Sequence, residues 1–290
     1  SITASNNKTE GLWYTAGNIE NSRSWAVTSM PYLVMGNLGI VGFGVLTLGP
    51  GVVLKMAPGA LLTVGGTLIT QGTAQAPVII TSQKDDTAGG DTFHDGSEGT
   101  AAPVAGDWES INLEAGASDS VLEGLEVRYA GMTNPRNNSF VDAILLRNGG
   151  SIVLRDVRVR DVASTGIRIL TGTHVLDRVD VQRSGNVPYH FDLAANPTLT
   201  ALSGSNNKIE GIWINPTGFT GERTWSDLGL PYVLTSNLTV AAGTALNLGP
   251  GVVVKVSPGS FISVSGAFNT GGTLAAPVYI TSQKDDSVGG

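Results

Sequence analysis

Five acidic side chains lie close together in a glycine-rich stretch of the chain. They are Asp85, Asp86, Asp91, Asp95 and Glu98. Alternate carboxylates followed by a turning glycine can wrap a calcium ion, and Asp91, Asp95 and Gly96 have that spacing. The hypothesis is a calcium site held by Asp91 and Asp95, with Asp86 and Glu98 as further ligands. The alternative is a solvated acidic turn, because Phe93 stands where a calcium loop has Asp or Asn.

A second possible chemistry is polysaccharide cleavage, which would need paired carboxylates or a basic residue beside bound calcium. Six arginines could supply the basic group: Arg155, Arg158, Arg160, Arg168, Arg178 and Arg183. Most of them match acidic residues one period away in the sequence, which favours ion pairing over catalysis. The histidines, His94, His174 and His190, have no metal-ligand spacing, and no cysteine is present. We therefore predict a protein that is not an enzyme.

Tryptophans offer a third possibility, which is stacking against sugar rings. Trp13 and Trp25 recur as Trp213 and Trp225, and the fifth is Trp108. Recurrence favours packing where one unit joins the next, and glycan stacking is the alternative.

Composition limits the partners. The net charge is −7 and no long basic stripe occurs, so nucleic acid is not an expected partner. No apolar run reaches transmembrane length, so we expect no membrane insertion by this segment. Hydrophobic residues make up 41% of the chain, enough for a continuous core, and the 39 glycines suit many short strands joined by tight turns.

The sequence contains a long internal repeat. Residues 6–90 align with residues 206–290 without a gap, and about 39 of about 85 positions are identical. The prediction is a first unit at 1–205, with an Asp-rich loop near 84–107 and a further insertion near 132–141. Residues 206–290 would then begin a second, truncated unit that continues the same solenoid.

A shorter period lies within the first unit. The segments 121–128, 153–160 and 175–182 resemble one another, and the last two are about 22 residues apart. In register, Glu126, Arg158 and Asp180 form one column of alternating charge. Glu123, Arg155 and Asp177 form a second column, and Asp156 lies against Arg178. Parallel strands would bring these charges about 4.8 Å apart, where opposite signs fix the register.

These motifs resemble a known pattern. Asn237-Leu238-Thr239-Val240 and Pro250-Gly251-Val252-Val253 are similar to right-handed parallel β-helix modules of large bacterial secreted and cell-surface proteins. That family's Asp-rich loop typically reads Gly-Asp-Thr-Asn-x-Asp-Gly before a Gly-Asp-Trp strand. Here the loop begins Gly90-Asp91-Thr92-Phe93, and Gly106-Asp107-Trp108 follows. The resemblance implies the fold and an extracellular location, and it leaves the activity open.

The predicted fold is therefore all-β, a right-handed parallel β-helix with about 22 residues per coil and outward loops. The predicted function is a non-catalytic structural or adhesive segment of a tandemly repeated extracellular bacterial protein, as in a stalk, surface layer, filament or adhesin. Other copies of the repeat are the expected partners, with cell-surface glycan as a further one. A glycan-binding module, or a polysaccharide lyase or hydrolase, is the alternative.

Overall fold

The computed structural model describes Ile2, Asn7 and residues 9–94, 102–132, 141–147 and 149–290. The ordered elements of these residues are 28 short strands. No helix in this part of the chain is long and apolar enough to cross a bilayer. In chain order the strands are β1 (Leu12–Tyr14), β2 (Gly17–Ile19), β3 (Arg23–Trp25), β4 (Tyr32–Val34), β5 (Leu38–Ile40), β6 (Val45–Leu48), β7 (Val53–Met56), β8 (Leu62–Val64), β9 (Thr67–Gln71), β10 (Val78–Ser82), β11 (Ile111–Leu113), β12 (Val121–Glu123), β13 (Leu125–Arg128), β14 (Ile144–Leu146), β15 (Val153–Val162), β16 (Ile167–Ile169), β17 (Val175–Ser184), β18 (Tyr189–Asp192), β19 (Thr198–Ser205), β20 (Ile212–Asn215), β21 (Glu222–Trp225), β22 (Tyr232–Leu234), β23 (Leu238–Val240), β24 (Ala245–Leu248), β25 (Val253–Val256), β26 (Ile262–Val264), β27 (Ala267–Thr270) and β28 (Tyr279–Ser282).

The strands stack in three columns, one for each side of the coil. Column 1 contains β1, β4, β7, β10, β13 and the second halves of β15, β17 and β19. Column 2 contains β2, β5, β8, β11, β14, β16, β18, β20, β22, β25 and β28. Column 3 contains β3, β6, β9, β12 and the first halves of β15, β17 and β19.

Successive turns lie roughly 23 residues apart, and the eleven strands of column 2 mark about eleven turns. Neighbouring strands pair in parallel, as between β15, β17 and β19. The predicted parallel β-helix is thereby confirmed.

Alternation along each strand separates the core from the surface. Within β15, Val157 and Val159 are almost fully buried and point inward, whereas Arg158 between them points outward. Each turn places an apolar residue directly above another, as Val157 lies beside Val179 and Val179 beside Leu202. A fully buried aliphatic side chain contributes about 1.5–3 kcal/mol, so the continuous apolar interior holds the turns together.

A single residue with left-handed backbone geometry makes the corner between columns 3 and 1. The corner residues are Gly124, Asp156, Arg178 and Ala201, with φ angles between 52° and 58°. The next corner, after column 1, repeats the same device at Tyr129, Asp161, Arg183 and Asn206. Left-handed geometry costs a residue with a side chain about 1–2 kcal/mol, so the corners must be fixed by contacts elsewhere in each turn.

Gly124 allows a close approach that no other residue can make. A Cβ atom on Gly124 would lie 2.3 Å from the carbonyl carbon of Gly72. We predict that Gly124→Ala lowers the free energy of unfolding by about 2–3 kcal/mol, because it adds this clash to the cost of the left-handed geometry. The matched change Ala201→Gly at the equivalent corner should cause no loss. Urea denaturation of both variants measures the difference, and equal effects would contradict the argument.

The two sequence copies do not occupy the same columns. Strands β1, β4, β7 and β10 of the first copy lie in column 1, whereas their counterparts β20, β22, β25 and β28 lie in column 2. The other strands of the second copy form two smaller sheets, β21-β24-β27 and β23-β26. Column 2 is therefore the one ladder, among the described strands, that passes from the first copy into the second.

Candidate functional site

The Asp-rich insertion begins with a segment that packs on the outside of the coil. Residues 83–94, here called the strap, lie against column 1. Lys55 is fully buried and its Nζ donates to the Gly90 carbonyl at 2.5 Å. Gly89 has a φ of 73°, and a Cβ atom there would lie 3.1 Å from Pro31. The second copy repeats the arrangement, because Lys255 donates to Gly290 and Gly289 lies beside Pro231.

Asp85 of the strap is a buried structural group. It is fully buried, and its carboxylate accepts hydrogen bonds from Thr81 at 2.6 Å, Thr87 at 2.5 Å and Arg128 at 3.0 Å. Burial alone would raise the pKa of Asp85, but these hydrogen bonds and the charge of Arg128 outweigh it and lower the pKa. The carboxylate is therefore ionised at neutral pH and fully engaged.

The predicted calcium ligands are only partly within the described residues. Asp86 and Asp91 lie in the strap, whereas Asp95 and Glu98 lie outside the described residues. Within the part of the chain that is described, no three His, Asp or Glu side chains are grouped to hold a metal ion. Calcium binding by Asp91 and Asp95 stays a prediction, which calorimetric titration of the chain with calcium tests.

The two charge columns have the predicted register. Glu126 lies beside Arg158, and Arg158 beside Asp180. In the second column, Glu123 lies beside Arg155 and Arg155 beside Asp177. Asp156 and Arg178 form the predicted pair, with two hydrogen bonds of 2.7 and 2.9 Å.

Glu126 does not form its ion pairs with the residue beside it in the column. Glu126 is only 7% exposed, and its Oε1 accepts from Arg128 at 2.8 Å and from Arg160 at 2.5 Å, not from Arg158. Burial would raise the pKa of Glu126, and the two arginines more than compensate and lower it. Arg160 also donates a hydrogen bond to Asp161, which accepts two more from Arg183. The result is one chain of alternating charges running from Asp85 to Arg183.

A second cluster lies on the outer face of column 2, where the copies meet. Arg168, His190 and Trp213 occupy the same outward position on β16, β18 and β20. The Arg168 guanidinium lies 4.0 Å from Asp142 and 3.8 Å from Asp192. Burial raises the pKa of Asp142, although Arg168 opposes the shift. Composition and spacing had not singled out these two carboxylates, since they lie 50 residues apart.

Tyr189 and Phe191 are buried in the core, whereas His190 between them points outward and is covered by Trp213. The two rings meet edge to face with centroids 6.2 Å apart. Burial, followed by the charge of Arg168, lowers the pKa of His190 to about 4. The ring is therefore neutral at pH 7. Its Nε2, the Nε1 of Trp213 and the Nε of Arg168 are buried without a hydrogen-bond partner. All three atoms lie in the row of outward side chains that joins the first copy to the second.

The other histidines lie elsewhere. His174 is fully buried; its Nδ1 accepts from the Ile152 amide at 3.1 Å and its Nε2 lies 2.8 Å from the Thr171 carbonyl. His94 lies in the strap, 3.8 Å from Glu10. The three histidines thus lie in separate parts of the molecule.

The tryptophans mostly pack. Trp25 stacks on Tyr32, and Trp225 stacks on Tyr232, each with centroids 4.6 Å apart. Trp108 is fully buried and donates to the Arg128 carbonyl at 2.7 Å. Trp13 is the exposed one, at 55%, because no described strand stacks beneath β1.

A cavity of about 450 Å³ lies inside the junction. It opens where β21 fails to hydrogen-bond to any strand of the first copy, and its walls include Phe191, Leu199, Trp225 and Tyr232. Arg223 lies in its lining, only 9% exposed, with Nη1 donating to the Thr220 and Glu222 carbonyls at 3.1 and 3.0 Å. The equivalent Arg23 in the first copy is exposed, so the repeat does not predict the burial of Arg223.

Comparison of the chain with protein-family models, with curated proteins and with solved structures finds no match. The resemblance to bacterial secreted modules therefore depends on the motifs alone.

Proposed function

We propose that this chain is a non-catalytic structural segment of a tandemly repeated extracellular bacterial protein, in which stacked copies form one stiff rod. The observation that carries the proposal is the ladder of column 2, which runs from β18 through β20 to β22 across the boundary between copies. Other copies of the unit are thus the first partners. Repeats that share one continuous core add length without adding a hinge.

The charges support a structural role over a catalytic one. General acid–base catalysis needs titratable groups that converge on one reacting bond. In the described residues, Asp85 accepts from Arg128 and two threonines, Glu126 pairs with two arginines, and Asp142 and Asp192 share Arg168. These contacts balance the charges of four carboxylates, which favours the structural role over that of a lyase or hydrolase.

Exposed aromatic rings give glycan binding less support. Trp13 and Phe43 are exposed in the first copy, and Phe261 and Tyr279 in the second. Trp13 lies at the first turn and Tyr279 at the last, so the described rings do not form a row along which a sugar chain could stack.

Small-angle X-ray scattering of the chain tests the rod. Eleven turns at about 4.8 Å each predict one straight body about 50 Å long. Two bodies joined by a hinge at the junction would contradict the proposal.

A matched pair of variants tests the junction itself. Trp213→Ala should lower the free energy of unfolding by about 1–3 kcal/mol, because Trp213 packs on His190 of the first copy. Trp13→Ala removes the equivalent ring where no described strand lies beneath it, and should change stability by less than about 0.5 kcal/mol. Equal losses in urea denaturation would show that Trp213 does not join the copies.

A further inference from the structure

Equivalent residues of the two copies face different sides of the rod. In column 1 of the first copy, the outward position is held by Trp13, Leu33, Lys55 and Thr81. Their counterparts Trp213, Val233, Lys255 and Thr281 hold the outward position of column 2. The strap accordingly packs on column 1 in the first copy, and its counterpart packs on column 2 in the second.

This shift from column 1 to column 2 follows from the number of coil faces that one unit fills. Column 1 contains eight strands from β1 to β19, and the next strand, β20, enters column 2. One 200-residue unit therefore fills seven turns and one further face. In a coil with three faces, one face is about a third of a turn.

The link between the copies, residues 206–211, determines that β20 enters column 2. After β19, Lys208 and Ile209 donate their amides to the Ser184 and Asn186 carbonyls, so the link follows the corner of the turn below. Asn207 fixes it further, because its side chain accepts from the Ser184 amide at 2.9 Å and donates to the Val181 carbonyl at 3.0 Å. Glu210 in turn binds the amide and side chain of Asn207. The link then delivers β20 onto β18.

The residues of this link are the same in both copies. Asn206, Asn207, Lys208, Glu210 and Gly211 correspond to identical residues at positions 6, 7, 8, 10 and 11. The segment that leads into the first copy therefore carries the side chains that make the step into the second.

We propose that each copy in an array is rotated by about a third of a turn relative to the copy before it. This inference rests on the proposed stacking function. Equivalent surfaces, including the strap, then point in three directions over three consecutive copies, and the fourth copy faces the same way as the first. A partner lying straight along the rod meets the same surface only at every third copy, whereas partners on three sides are each met in turn.

Disulfide trapping in the 290-residue chain tests the step, and the absence of native cysteines leaves no competing thiol. Asp192 and Asn215 are neighbours across the junction, so Asp192→Cys with Asn215→Cys should form a disulfide. A copy stacked without rotation would instead place residue 213 beside Ser205, the last column 1 position of that register. The test for that arrangement is Ser205→Cys with Trp213→Cys. Asp180→Cys with Ser203→Cys, neighbours within the first copy, is the positive control.

The outcomes separate this inference from the proposed function. A disulfide in the 192/215 pair and none in the 205/213 pair is the expected result. A disulfide in the 205/213 pair, alone or together with the first, shows copies that stack without a fixed rotation and overturns the inference while leaving the rod. If only the positive control forms, the copies do not stack, and both the rod and the rotation are wrong.

Discussion

Replacing Arg128 with methionine should lower the free energy of unfolding by about 3–5 kcal/mol. The Arg128 side chain is 9% exposed and lies between two carboxylates, Asp85 at 3.0 Å and Glu126 at 2.8 Å. Removing the guanidinium leaves two negative charges in a nearly dry site with one remaining cation, Arg160, to balance them. Methionine keeps the unbranched apolar stem, so the loss reports the charge and its hydrogen bonds.

Arg158→Met is the control, because it removes the same guanidinium group from the neighbouring strand β15, where Arg158 lies beside Glu126. The Arg158 side chain is 56% exposed and its Nε lies 3.6 Å from Asp180. An exposed pair of this kind contributes about 0–1 kcal/mol. Urea denaturation followed by tryptophan fluorescence compares the two variants. Losses of similar size would mean that the chain of charges from Asp85 to Arg183 stabilises the solenoid no more than a surface pair does.

The register of the solenoid could be predicted from the sequence because β-strands alternate strictly. Once Val157 and Val179 are assigned to the core, Arg158 and Asp180 must share the outer face. The choice of partner for Glu126 could not be predicted in the same way. It depends on how the strap covers column 1, which excludes water from Arg128 and draws Glu126 toward it and toward Arg160.

The geometry of the junction between the copies could not be predicted from the sequence either. A repeat of 200 residues gives the length of a unit but not the number of coil faces that it fills, because insertions of unequal length interrupt the period. The contact of His190 with Trp213 and the burial of Arg223 both follow from that number of faces. The role of Asp85 could not be predicted either, because its partner Arg128 lies 43 residues further along the chain and reaches it only when column 1 is assembled.

Acidification should weaken the junction before it affects the rest of the rod. An unfolded histidine has a pKa of about 6.5, whereas burial and Arg168 lower the pKa of His190 to about 4 in the folded chain. Between these values the unfolded chain binds a proton that the folded chain does not. The stability associated with neutral His190 is therefore complete above pH 6.5 and is lost as the pH falls toward 4, up to about 3 kcal/mol.

The groups that face His190 determine how this effect is measured. Arg168 on β16 disfavours the imidazolium, Trp213 on β20 covers the ring, and Asp192 on the same strand opposes the shift. Asp142 beyond Arg168 acts in the other direction, because its raised pKa adds stability as the pH falls. A difference between variants cancels that contribution.

Between pH 7 and pH 4.5, the free energy of unfolding of His190→Gln should therefore fall by about 2–3 kcal/mol less than that of the parent chain, as measured by urea denaturation at each pH. A His190→Gln profile parallel to that of the parent would show that His190 takes up its proton equally in the folded and unfolded chains, and that the junction does not hold the ring neutral.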